Sequence, residues 1–132
     1  MIIILKNKQV LKVNEFFFRC CIGKKGLTNS KKEGDLMTPR GLFKIGRLYY
    51  RSDREKLPYT KIKCIKIKKD TVCCNDLKNK ENYNKILKKN KKMRYESLFR
   101  KDHKYDFVLP IKYNSKNISG KGSCIFIHLT SN

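Results

Sequence analysis

The chain has no tryptophan, only three prolines, two histidines and 11 acidic residues against 33 Lys+Arg. It also has no long apolar run: at the N-terminus Ile2–Leu5 are followed at once by a lysine. Four such residues are too few for the core of a signal peptide or for a membrane span, so no export segment and no membrane span are read here. No Cys-x-x-Cys spacing occurs among the six cysteines, and two of their pairs, Cys20-Cys21 and Cys73-Cys74, are direct neighbours. Neighbours on a strand point to opposite faces, which argues against a shared metal. Most of the cysteines are therefore read as small buried hydrophobes.

The scarcity of acid leaves a formal net charge of +22. Such an excess raises nucleic acid, an anionic surface or an anionic polymer as partners. The lysines are spread along the chain, however, and outnumber the arginines that read bases and phosphates best. No nucleic-acid-binding motif accompanies them, so no specific nucleic-acid partner is assigned. At 132 residues, with 39% hydrophobic and 11% aromatic residues, the sequence suits one domain, 1–132, around a modest core.

The pattern is that of a mainly β protein. Residues 2–5 and 9–13 read as a hairpin turning at Lys6-Asn7-Lys8. Residues 15–23 form an apolar run that looks buried, and 24–41 a loop rich in turn residues. Residues 42–51 read as a strand bent at Gly46, 61–69 as an alternating strand with a bulge at Cys64-Ile65, and 70–74 as its returning partner. Residues 75–92 read as loop. Met93, Leu98 and Phe99 have the spacing of one short helix over 93–101. Residues 105–113 form a strand whose Pro110 suggests an edge or a bulge, and 123–129 form the last strand.

Of the two histidines, His103 sits in a polar stretch and reads as a solvated loop residue. His128 closes the apolar run Cys124–His128, where a buried strand reaches the surface. That position suits either a rim histidine or a general base.

Four blocks occur in order: Glu33-Gly34-Asp35…Thr38-Pro39-Arg40-Gly41-Leu42-Phe43, followed by Tyr50-Arg51-Ser52-Asp53-Arg54; Tyr105-Asp106…Tyr113-Asn114; and Gly120…Gly122-Ser123…Ile125-Phe126…His128. They resemble the L,D-transpeptidase catalytic-domain family from about residue 19 onward. The resemblance implies a mixed β-sheet sandwich with one short helix. It implies an enzyme in which a cysteine thiolate attacks a peptidoglycan stem peptide, releases D-alanine and passes the acyl group to an amine. No metal or organic cofactor is implied.

Carried over by position, His128 is the candidate base, and Tyr113, Asn114 and Ser123 are candidate substrate-side residues; Gly122 shapes the strand. Asp35 and Thr38, with Gly34, Pro39 and Gly41, are read as scaffolding of the loop. The partners implied are stem peptides and anionic wall polymers. The implied location is the periplasmic or wall side of the membrane, and oligomeric state is left open. The chain departs from the family in one respect that matters. The family's nucleophile lies in a Gly-Cys element beyond this histidine, and none of the six cysteines follows a glycine. Cys124, four residues before His128, shares its side but not the family's position. A smaller departure is Tyr95-Glu96 where relatives carry His-Glu. The expectation is a fragment lacking the nucleophile and the last strands, inactive as it stands, with an open apolar edge after His128. The alternatives are an inactive wall-binding relative and a basic nucleic-acid-binding domain.

Overall fold

The computed structural model describes residues 1–90 and 92–130. The chain divides into two compact units, Met1–Gly41 and Leu42–Asn132, within the stretch read as one domain. The protein is mainly β, and the described residues contain no helix. None therefore is long and apolar enough to cross a membrane.

In the first unit, β1 (Ile3–Asn7), β2 (Val10–Val13) and β3 (Phe16–Arg19) form an antiparallel sheet in chain order. The hairpin turns at Lys8-Gln9, where the Gln9 amide donates to the Asn7 Oδ1. Asn14 turns the chain into β3 with φ of 52°, a left-handed conformation that Asn tolerates well. The run 15–23 is not buried as expected: Phe16, Phe17 and Phe18 are all exposed. They lie on the terminal strand of a three-stranded sheet.

The loop over 24–41 is closed by a short parallel pair, β4 (Leu27–Thr28) with β5 (Thr38–Pro39). Thr38 Oγ1 accepts from the Gly23 amide at 2.9 Å. Asp35 accepts from the amides of Lys32 and Met37 and from the Lys31 ammonium. These two side chains hold the turn, as the scaffolding role requires. Gly23 is fixed by contact, since a Cβ there would meet the Leu36 carbonyl oxygen at 2.5 Å.

The second unit holds two small sheets. One has the order β12-β11-β6-β7, from β6 (Leu48–Tyr50), β7 (Cys64–Lys66), β11 (Phe107–Pro110) and β12 (Phe126–His128). Here β6 and β7 run parallel and the other pairs antiparallel. The other sheet has the order β10-β8-β9, from β8 (Thr71–Cys74), β9 (Ile86–Lys88) and β10 (Tyr95–Ser97). The segment 70–74 thus does not return along β7; β8 is the middle strand of its own sheet. Val72, Cys73 and Cys74 are buried although successive side chains point to opposite faces, so β8 is covered on both sides.

The main core joins Ile67, Cys73, Leu98, Tyr105 and Val108, with Tyr49, Ile86, Phe99, Cys124 and Phe126 against it, so it draws on both sheets. A second cluster of Val72, Cys74 and Met93 lies on the other face of β8.

Several local expectations are corrected. The short helix over 93–101 is absent; Tyr95, Glu96 and Ser97 pair with Cys74, Cys73 and Val72. The ladder to a buried strand outweighs a weak helical spacing. The segment 75–92 contains β9. The strand over 42–51 is shortened to β6, with Ile45 bridging Ile111 and the Gly46 amide donating to the Pro110 carbonyl. Pro110 ends β11, which lies between β12 and β6 rather than at an edge. The cysteines are not simply buried hydrophobes. Cys73 and Cys124 form a disulfide, Cys74 is a buried thiol, Cys20 and Cys64 are half-buried and Cys21 is exposed.

Candidate active site

His128 is the last residue of β12, opposite Val108 of β11, and is exposed. Its ring meets Tyr105 edge-on at 5.0 Å, and Phe126, two residues earlier on the same face, does so at 6.0 Å. The Nδ1 lies 2.6 Å from the Leu129 carbonyl oxygen. A carbonyl can only accept, so Nδ1 carries the proton and the neutral ring keeps its lone pair on Nε2. The imidazole thereby offers Nε2 as a hydrogen-bond acceptor.

The surroundings of Tyr105 fix that ring. Its hydroxyl donates to the Glu96 carboxylate, and the Arg100 guanidinium lies 5.0 Å from its ring centre. Burial, followed by the bond to Glu96, pushes the phenol well above its ordinary value, so Tyr105 stays a donor. The Glu96 carboxylate thus holds the ring on which His128 rests. Arg100 is in turn paired with Asp102, whose carboxyl it holds far below the usual range.

The Tyr50–Arg54 block is structural. Arg51 is 2% exposed, lies 3.6 Å over the Phe99 ring and makes two bonds of 2.8 Å to Asp53. Arg54 bonds the carbonyls of Arg100, Lys101 and Asp102 and pairs with the buried Asp106 at 3.0 Å. Asp106 also lies 2.8 Å from Nδ1 of His103, whose side chain is 86% exposed. His103 is thus a surface residue, but one held by a buried carboxylate.

The other site residues gather elsewhere in the same unit. Tyr113 lines a cavity of about 260 Å³ together with the Cys73–Cys124 disulfide, Asn84, Lys112, Asn117 and Phe126. Asn114 and Ser123 are not among its walls. Asn114 braces the loop after it, with Nδ2 donating to the Ile118 and Gly122 carbonyls at 2.9 and 3.0 Å. Ser123 is buried beside Cys124. His128 does not line this cavity; β12 links the two places, with Phe126 in the wall and His128 at the strand's end.

Asn84 organises the cavity and was not singled out from the sequence. Its Nδ2 lies within 3.1–3.3 Å of the Tyr113 and Asn114 carbonyls and of Asn117 Oδ1, and its Oδ1 accepts from the Cys124 amide at 3.0 Å. The buried Tyr83 hydroxyl accepts from the Gly122 amide at 3.1 Å. Asn84, Asn114, Asn117 and Cys124 all have positive φ, between 51° and 62°. For cysteine this is a strained conformation, held here by the disulfide and by Asn84. The legible signal was the density of asparagine in both segments, since Asn favours positive φ.

Cys124 cannot serve His128 as a thiol while it is bonded to Cys73. Among the described residues no three His, Cys, Asp or Glu side chains gather to hold a metal. No protein-family model, curated protein or solved structure matches the chain.

Proposed function

We propose that the chain carries the histidine-bearing part of an L,D-transpeptidase-type acyltransferase acting on peptidoglycan stem peptides. The observation that carries this reading is the state of His128: exposed at the end of β12, with Nδ1 donating to the Leu129 carbonyl and the Nε2 lone pair left for a proton. In the reaction, Nε2 takes the proton of a cysteine thiol and the sulfur attacks the carbonyl carbon of the stem peptide. The C–S bond forms, the C–N bond breaks, and the imidazolium returns its proton to the departing D-alanine amine. An amine of a second stem then displaces the sulfur.

The thiol is not one of the six in this chain. Cys73 and Cys124 are bonded to each other and Cys74 is buried, while none of the six follows a glycine. On this reading the nucleophile follows His128 in the natural gene product. The family's next strand pairs with the outer edge of β12, completing the mixed β sandwich. The disulfide supports placement on the periplasmic or wall side, since such bonds persist in oxidising compartments. The +22 charge supports attraction to anionic wall polymers. The disulfide-locked Cys124 also favours a second reading, an inactive wall-binding relative.

The test is D-alanine release from a stem tetrapeptide by the protein expressed from its natural gene to its own stop codon. Activity abolished by His128→Ala, with the fold intact, is expected. Absence of release, or full activity in the variant, removes the proposal.

A further inference from the structure

The three phenylalanines of β3 have no role in the site described above. Phe16, Phe17 and Phe18 are 68%, 64% and 51% exposed, and the strand ends its sheet. An exposed edge strand with apolar side chains is a template for another strand. Charged residues flank the phenylalanines on either side, Glu15 before and Arg19 after, both exposed.

The backbone decides which register such pairing takes. In an antiparallel ladder, alternate residues direct their N–H and C=O toward the partner strand, and the residues between direct theirs away. The Cys20 amide donates to the Gln9 carbonyl, and the ladder continues with Phe18 opposite Leu11 and Phe16 opposite Val13. Even-numbered residues of β3 therefore bond β2, while Phe17 and Arg19 present their backbone groups outward; Glu15 lies in the turn just before the strand.

We propose that β3 pairs antiparallel with β3 of a second copy of this chain, Phe17 facing Phe17 across a two-fold axis. In that register every outward-directed residue meets another. Phe17 exchanges two hydrogen bonds with its counterpart, and the outward Arg19 amide of each copy meets the Glu15 carbonyl at the turn of the other. Glu15 of each copy lies opposite Arg19 of the other, so the charges complement at both ends. A parallel pairing would set Glu15 against Glu15 and Arg19 against Arg19. Phe16 and Phe18 of both copies meet on one face, and the two Phe17 rings meet on the other. The contact is isologous and closes as a dimer.

The wider charge opposes the contact, because each copy carries +22. Salt screens that long-range repulsion over about 8 Å at physiological strength, while strand pairing and ring burial persist. Dimerisation therefore strengthens as salt rises, the reverse of binding to an anionic lipid or polymer.

The test is sedimentation velocity of the full chain over a concentration series at low and high salt, about 0.05 and 0.5 M. A monomer–dimer equilibrium that tightens at high salt is expected. Glu15→Arg and Arg19→Glu each weaken it at least about tenfold, since each sets like charges opposite one another. The double exchange Glu15→Arg with Arg19→Glu restores it, which neither loss of fold nor unspecific hydrophobic association would do. A chain that stays monomeric throughout, or a double exchange as weak as the single ones, overturns the proposal. So does association that falls with salt while the chain sediments with phosphatidylglycerol vesicles.

Discussion

Breaking the Cys73–Cys124 bond is the perturbation with the largest expected effect on stability. The two cysteines are 51 residues apart in sequence and join β8 of one sheet to the segment leading into β12 of the other. Closing a loop of that length removes about 4 kcal/mol of chain entropy from the unfolded state at 25 °C. For a chain of this size each kcal/mol shifts the melting temperature by about 3–4 °C. Reduction, or the pair Cys73→Ala with Cys124→Ala, should therefore lower the melting temperature by roughly 12–16 °C. The assay is thermal unfolding followed by far-UV circular dichroism, with and without a dithiol reductant. Alkylation and peptide mass mapping of the oxidised protein should first show residues 73 and 124 linked. Cys64→Ala, which removes a half-buried thiol outside this bond, serves as the control and should shift the midpoint by only a few degrees. A reductant-induced shift below about 3 °C, or alkylation of all six thiols without reduction, would refute the reasoning.

Two further outcomes follow from the same structure. Asn84→Ala strips partners from the Cys124 amide and from the Tyr113 and Asn114 carbonyls, and should cost about 2–3 kcal/mol in urea unfolding; a loss under about 0.5 would show that the bracket is not energetically coupled to the fold. Burial raises the Asp35 carboxyl, but bonds from Lys31, Lys32 and Met37 outweigh it and hold the group below its ordinary value. A depressed folded-state value contributes stability that is present above the unfolded value, near 3.9, and is lost as pH falls through the folded one. Stability between about pH 4 and pH 2 should thus fall less steeply in Asp35→Asn than in the parent chain, and equal slopes would contradict the assignment.

The hairpin β1–β2 and the strand at 71–74 were legible because local signals agreed with the final packing: alternating or continuous apolar residues bounded by turn formers. The helix over 93–101 was misread because Met93, Leu98 and Phe99 fit a helical spacing equally well. Only the long-range ladder from Tyr95–Ser97 to β8 decides the matter, and that is a tertiary fact. The exposure of Phe16–Phe18 was hidden for the opposite reason. An apolar run states a preference for burial, but β3 is the end strand of its three-stranded sheet.

Near the candidate site, the place of His128 at the end of an apolar strand was legible, and Tyr113 lines a cavity. Asn114 and Ser123 turn out to brace and fill. The disulfide had no local signature, since Cys73 and Cys74 are adjacent and only the pleat of β8 directs the first toward Cys124. Asn84 bonds residues about 30 to 40 positions away, beyond the reach of any spacing argument.

The central claim is that His128 serves a thiol outside this set of six. Its most direct test is the intact mass of the protein, translated from its natural gene to the natural stop codon, after brief exposure to a stem tetrapeptide. The account predicts an acyl adduct, equal in mass to the tetrapeptide less D-alanine, on a cysteine beyond His128, and its absence in His128→Ala. An unmodified protein, or an adduct carried by one of the six cysteines described here, would contradict it.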